Sequence, residues 1–452
     1  MTEASPTSTA MPIWITDSRI DPSWIEENMP GDFPSVSGCT AEDISNDGRR
    51  GNNPRNGSTL LLRVTRRDDG IETNTATKIK TLVAKQIPPS GLALSQRLGL
   101  AREAMFYNQL APRIKFPVRC CTPKIYCSSG SMDDGSKIIV MEDLSGGFVD
   151  SGILFGPGNP NNWSRDLWAA IAGAYPTLSR VPTPFEVANQ SFVAMASVHA
   201  AFWRDSALLG HEYSWLRGSS WTSGSDEASW RASQGVVQAS WARYTASEIE
   251  NDNDGGSNND EQRIQWDPLV REILETAMKG ISWESQRQRL NAGSNFCLVH
   301  GDFWPGNVMI SKDQGPATSV IENDGRKGCR LRQLRLLDWE MVGLGSGPQE
   351  LGQYIISNMD PSERLVCEET LVRNYYQQLV HELGSNGSSC NYSWEECWSE
   401  YKIGGLERWL WFLAYFSGQP SMVEWTRFFH DQVKAFVHDH KIGPANVTQP
   451  RP

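Results

Sequence analysis

His300, Asp302 and Asn307 lie in the stretch Leu298-Val-His-Gly-Asp-Phe-Trp-Pro-Gly-Asn-Val-Met-Ile310. Two apolar runs flank a polar centre, a pattern that predicts strand, loop, strand. An aspartate and an asparagine five residues apart on one rigid turn can orient and deprotonate a hydroxyl while an uncharged amide oxygen completes the shell of a hard cation. Transfer of a phosphoryl group needs that pair of functions. The same residue types also make ordinary β-turns, so the rest of the chain has to decide. Asp338, at the end of the apolar run Leu334 to Leu337, is a second carboxylate at a strand exit.

The elements that must carry these groups follow in order. Residues 1–12 read as a flexible tail. Asp21-Pro22-Ser23 reads as a helix start with Trp24 and Ile25 on its apolar side. Leu60–Thr65, Lys80–Ile87, Ile125-Tyr126 and Lys137–Met141 read as strands of one sheet. Between Ser45 and Ser58 runs a polar segment of Gly, Asn, Arg and Asp. It is a phosphate-covering loop or a hairpin tip, with Arg49, Arg50 and Arg55 as its cations. A helix from about Ser95 to Leu110 carries Glu103. The strand ending at Met141 runs into Glu142-Asp143-Leu144-Ser-Gly-Gly147, a polar exit expected between two lobes.

From Pro184 the apolar period lengthens to helical, and His199 on that helix reads as a hydrogen-bonded core histidine. Residues 211–245 are rich in Trp and form a substrate-side insertion or an aromatic satellite core. Residues 248–261 read as a disordered acidic loop, and Pro268–Leu290 as a helix leading into the opening motif. Helices are expected at Pro348–Ser357, Pro361–Leu383, Trp394–Phe416 and Ser421–His440.

Five marks now stand in a fixed order: Lys85, Glu103, the 142–144 exit, the H-G-D-x-x-x-x-N loop and Asp338. Leu82-Val-Ala-Lys85 resembles the V-A-I-K strand of kinases, and 300–307 resembles their catalytic loop with Gly301 in place of Arg. Together the marks resemble the small-molecule branch of the protein-kinase-like fold: aminoglycoside phosphotransferases, choline kinases and ecdysteroid-kinase-like (CHK-type) proteins. Val198-His-Ala-Ala-Phe-Trp203 and Trp304 are similar to the last group in particular. Gly301 in place of Arg and Asp338-Trp-Glu340 in place of D-F-G separate the small-molecule branch from protein kinases. Two departures stand out: no glycine-loop pattern is recognisable, and the gap from Asn307 to Asp338 is stretched by an inserted turn.

The resemblance implies an α+β, bilobal protein-kinase-like fold. Its nucleotide-binding N-lobe, an antiparallel sheet with a helix, spans 13–143, and its larger, mainly helical C-lobe spans 144–445. It implies ATP and Mg2+ as cofactors and the hydroxyl of a small organic molecule as acceptor. Residue by residue, Asp302 is the catalytic base and His300 braces its loop. Asn307 and Asp338 hold magnesium. Lys85, oriented by Glu103, meets the nucleotide phosphates, while Glu142 and Leu144 border the adenine through their backbone. The rival class is a catalytically silent nucleotide-binding or scaffold module on the same fold. A protein kinase should show an activation segment ending near A-P-E, whereas Gly345-Ser-Gly-Pro348 leads directly into a helix.

Composition narrows the field further. The 452 residues carry a net charge of −11 and no long basic run, which excludes a general nucleic-acid binder. Nine irregularly spaced cysteines suit a reduced, cytoplasmic protein. The N-terminus has no apolar core of a signal peptide, and the longest apolar run, Trp409–Phe416, is too short to span a membrane. The pattern carries no signal for an oligomeric state.

Overall fold

The computed structural model describes residues 15, 19–45, 58–66, 79–114, 121–177, 180–217, 227–253, 264–280, 282–288, 295–312, 334–385 and 391–448. The expected N-terminal tail, the polar segment with Arg49, Arg50 and Arg55, and Cys120 lie outside them. The chain divides into two compact units, residues 1–112 with 123–146, and residues 113–122 with 147–452.

In the first unit, strands β1 (Arg19–Ile20), β2 (Val36–Asp43), β3 (Ser58–Arg66), β4 (Ile79–Gln86), β5 (Ile125–Gly130) and β6 (Lys137–Glu142) form an antiparallel sheet in the order β1-β2-β3-β4-β6-β5. Alternation sends Leu60, Leu62 and Val64 of β3 and Leu82 and Ala84 of β4 into one core. There they meet Trp24, Ile25 and Phe33. The helix Pro22–Asn28 that supplies Trp24 starts where Asp21 accepts from the Ser23 amide at 2.9 Å. Because side chains alternate, Lys85 is turned away from that core, opposite Ile139 and Thr59 in the ladders.

The expected continuous helix from Ser95 to Leu110 is instead broken. Leu92–Leu98 ends at Gly99, whose φ of 69° is left-handed, and a Cβ there would lie 2.2 Å from Arg102 Nη1. The chain restarts at Arg102–Met105 and widens into a π turn over Phe106–Leu110. The break falls at glycine because that residue enters the left-handed region without a Cβ penalty.

In the second unit, β7 (Phe148–Asp150), β9 (Val308–Ser311) and β10 (Leu334–Leu336) form one small sheet, and β8 (Cys297–Val299) pairs with β11 (Gly343–Gly345). The rest of this unit is mainly helical, with Pro184–Ala201, Gly347–Asn358, Pro361–Ser385, Trp394–Ser417 and Val423–Asp439 as the helices that matter for the site. Capping boxes at Thr183 with Glu186 and at Ser393 with Glu396 satisfy the first amides of two of them. Gly352 and Gly405 let two of these helices touch backbone to backbone: a Cβ on Gly352 would sit 2.6 Å from the Gly405 Cα.

Two expectations change here. The helix from Glu227 runs through Asn253, so Glu248–Asn253 are helical rather than a disordered loop. Gly235 lies within the helix, no Gly or Pro follows it before Gly255, and residues 254–263 lie outside the described set. The helix expected over Pro268–Leu290 stops at Gly280 and resumes as Trp283–Gln288, the glycine again being the weak point. Of the alternatives for the Trp-rich stretch, the satellite core fits what is described. Trp241 stacks on Tyr244 with centroids 5.4 Å apart and meets Trp266 edge-on, and buried Trp230 packs against Trp283. Among the described residues no helix is long and apolar enough to cross a membrane.

Candidate active site

The loop after β8 is held at both ends by strand pairing. Val299 faces Gly343 in one ladder, and Val308 faces Leu336 in the other. The Leu337 amide donates to the Asn307 carbonyl at 2.9 Å. The loop and the chain just before Asp338 are thereby tied into one piece of backbone. His300 adds a second tie. Its Nε2 lies 2.8 Å from the Leu337 carbonyl, and its Nδ1 lies 3.3 Å from the Asp302 amide. A carbonyl can only accept and an amide N–H can only donate, so this ring carries its proton on Nε2.

Asn307 closes the loop on itself. Its Nδ2 donates to the Asp302 carbonyl at 2.9 Å and to Asp302 Oδ2 at 3.0 Å. The amide nitrogen is therefore spent within the loop, and Oδ1 is the atom left to accept or coordinate. On the other side, the buried guanidinium of Arg408, from the helix Trp394–Ser417, lies 3.6 Å from Asp302 Oδ1. The Asp302 side chain itself stays 37% exposed. The protein packed around it raises its carboxyl above the usual carboxylate range and the Asp338 charge adds to this, against the pull of Arg408, His300 and Asn307. Burial lowers Arg408, with Asp302 and Glu350 opposing.

Asp338 has φ 66° and ψ 57°, a left-handed conformation that Asp tolerates better than most residues. It precedes a 3-10 turn, Trp339–Met341, anchored by the fully buried Trp339 ring, which lies 4.4 Å from the His300 ring. Glu340 belongs to that turn.

Gly301 also has a left-handed φ, 79°, and a Cβ on it would lie 1.9 Å from the Met341 carbonyl oxygen. Arginine cannot occupy this position without moving the Asp338 turn. Gly301→Ala should destabilise the fold by about 2 kcal/mol or more, read as a lower denaturation midpoint in urea.

Beneath the loop lies a buried carboxylate. Glu350, in the first turn of the helix Gly347–Asn358, accepts from the His300 amide at 2.9 Å and from the Gly301 amide at 2.5 Å. His199 Nε2 stands 3.2 Å from the same carboxylate, and His199 Nδ1 lies 2.9 Å from the Tyr375 hydroxyl. Burial works against ionisation of Glu350, but the His199 bond, the electrostatic influence of the two imidazoles and the Gly301 amide outweigh it and hold its carboxyl below the ordinary range. His199 is the hydrogen-bonded core histidine the sequence suggested, and it also anchors the Glu350 clamp on the loop after β8.

In the first unit, Lys85 Nζ lies 2.8 Å from Glu103 Oε2, the expected ion pair. A second lysine shares that oxygen: Lys137 Nζ lies 3.0 Å away with its side chain fully buried. Lys137 stands opposite Gly130 in the β5–β6 ladder. A Cβ on Gly130 would sit 2.9 Å from the Ala104 Cβ, so the missing side chain lets the Glu103 segment approach. At the exit of β6, Glu142 Oε1 accepts from the Lys124 amide at 2.9 Å, and the Glu142 amide donates to the Lys124 carbonyl. Leu144 is buried, and Asp143 closes the following turn on the Ser145 amide. Both the side chain and the amide of Glu142 serve the sheet edge.

Sequence reasoning passed over Glu350, Arg408 and Lys137. The charged pair Glu407-Arg408 inside an aromatic helix stretch was a signal for the second. Glu350 and Lys137 carry no spacing that separates them from ordinary surface charges.

The model of the phosphotransferase enzyme family matches residues 67–321, more than half of the chain, and the chain belongs to that family. It is an enzyme of the small-molecule kinase class. A second family model, described as "Uncharacterized oxidoreductase dhs-27", matches residues 258–418 and represents the ecdysteroid-kinase-like family. No curated protein matches the chain.

Among solved structures, the chain is similar to a choline/ethanolamine kinase family protein from Mesorhizobium loti at 11% identity, covering 84% of this chain and 92% of that one, TM-score 0.35. It is similar to the choline kinase LicA from Streptococcus pneumoniae at 12% identity, covering 92% and 98%, TM-score 0.39. A microcompartment-associated aminopropanol kinase matches at 10% identity over 95% and 99%, TM-score 0.40.

Proposed function

We propose that this protein transfers the γ-phosphate of ATP to a hydroxyl of a small organic molecule, with magnesium and with Asp302 as base. The observation that carries the reading is the Asp302 carboxylate. One oxygen is held by Asn307 and the other lies near Arg408, on a loop tied to the backbone leading to Asp338. Such a group is positioned, partly accessible and ready to take a proton.

The donor set suits a hard cation. Asn307 has only its amide oxygen left to offer, and Asp338 and Asp302 are carboxylates close enough for the charge of one to act on the other. Asn307 and Asp338 are the residues that would hold magnesium, which when bound supplies charge neutralisation on the phosphates. Asp302 orients the acceptor hydroxyl and accepts its proton as the oxygen attacks phosphorus and ADP leaves. His300, with its proton on the nitrogen facing a carbonyl, braces the loop and takes no part in that transfer.

In this reading residues 13–143 bind the nucleotide and residues 144–445 hold the acceptor and the base. Lys85, oriented by Glu103, meets the phosphates. Glu142 and Leu144, at the exit of β6, border the adenine through their backbone. The reaction belongs in the cytoplasm, where ATP and reduced cysteines coexist.

The test is a panel of small alcohols incubated with ATP and magnesium, followed by mass spectrometry for the gain of one phosphate. Phosphorylation by the wild type and not by Asp302→Asn supports the reading. ATP binding with no product from any alcohol class favours the silent nucleotide-binding module.

A further inference from the structure

In a two-member lysine–glutamate pair, the lysine cannot move to a phosphate without stranding its carboxylate. Glu103 would be badly placed for this, because its side chain is fully buried. An uncompensated buried charge is among the costliest defects a protein can carry. Here the carboxylate has two cations. Lys85 and Lys137 both reach Oε2, at 2.8 and 3.0 Å, while Oε1 has no hydrogen-bond partner among the described residues. The two lysines differ in their surroundings. Lys85 keeps 21% of its side chain exposed and Lys137 keeps none.

We infer that Lys137 is the permanent counter-ion of Glu103 and a positioning residue for the reaction: it keeps the buried carboxylate neutralised so that Lys85 is released to the nucleotide phosphates. The inference rests on the phosphate role proposed above for Lys85 and adds the residue that makes the role available. Lys137 touches no nucleotide in this scheme. It acts through Glu103, by removing the electrostatic penalty for the departure of Lys85. β6 holds it in place, starting at Lys137 and running through the buried residues Ile138, Ile139 and Val140, so its ammonium has no route to solvent. Without Lys137, Lys85 becomes the only cation on Glu103 among the described residues, and each phosphate contact competes with a charge-assisted hydrogen bond.

The experiment measures ATP and adenosine binding by calorimetry, with thermal unfolding alongside, for the wild type, Lys137→Met, Glu103→Gln and the double variant. Lys137→Met should weaken ATP binding by about tenfold or more and leave adenosine, which has no phosphates, nearly unchanged. The double variant should match Glu103→Gln in ATP affinity, because no carboxylate remains to trap Lys85. ATP and adenosine affinities falling together would mark Lys137 as merely structural and overturn the inference. So would a double variant that binds ATP clearly more weakly than Glu103→Gln, a comparison that stands even if Lys137→Met alone does not fold. Wild-type protein that binds no ATP refutes the proposed function instead. In that case unfolding still tests the inference: Lys85→Met should keep a near-wild-type midpoint, Lys137→Met or a failure of that variant to fold should not, and equal midpoints sink it.

Discussion

Asp302→Asn should lower kcat by about 10²–10⁴-fold, the range for loss of a positioned general base, while the protein stays folded and binds ATP. Asparagine keeps the shape of the side chain and an oxygen that can accept from Asn307 Nδ2, so the loop contacts at 2.9 and 3.0 Å survive. What disappears is the proton acceptor, together with the negative charge facing Arg408 at 3.6 Å. The fold does not depend on that charge. The Asp302 side chain is 37% exposed, and the loop's backbone bonds to Glu350 and Leu337 do not involve it. Steady-state kinetics with a turned-over alcohol, together with an unfolding curve, make the check. A loss below tenfold in kcat with unchanged stability would show that another group takes the proton.

The second large effect concerns stability. Glu350→Ala should cost about 3–5 kcal/mol, the usual consequence of removing one partner from a buried charged network. It orphans the His300 and Gly301 amides and strips His199 Nε2 of its partner. Glu350→Gln should cost less, about 1–3 kcal/mol, because one oxygen remains while its NH2 faces donors. Activity should fall with stability, since the two amides lost are those that set the path of the chain into Asp302.

The pH dependence has a definite sign. The folded-state value of Glu350 lies below the ordinary value of 4.5, so its contribution is complete above that value. It is lost as pH falls from there through the depressed folded-state value. Denaturation midpoints of wild type and Glu350→Gln should therefore be far apart at neutral pH and converge on acidification. A gap that stays constant down to strongly acid pH would mean that Glu350 is not held ionised by these partners.

Much of this site was legible in one dimension wherever a local rule applies. Spacing within one turn linked Asp302 to Asn307, because a loop closed between two strands leaves few places for residues five apart. The pairing of Lys85 with Glu103 followed from the resemblance, and the ion pair is present at 2.8 Å. Helix ends were less legible. Gly99 and Gly280 interrupt apolar patterns that read as continuous, and periodicity does not register whether a glycine is crossed or turned at. The Trp-rich stretch was ambiguous because a ring looks the same in sequence whether it lines a pocket or packs on Trp266.

The amino-acid order by itself determined the type of chemistry, the strand–loop–strand frame and the α+β class, since each rests on residue identity and short-range period. Glycine at 301 belongs with these, although its reason is tertiary: the left-handed φ and the Met341 carbonyl 1.9 Å from any Cβ. Only the tertiary structure decided what supports those groups. Glu350 reaches His300 across 50 positions of sequence and Lys137 reaches Glu103 across 34, and Arg408 approaches Asp302 from a helix more than a hundred residues further along. Each is a charge buried because a distant partner waits for it. Burial and partnership are properties of packing, which no local pattern of residue types records.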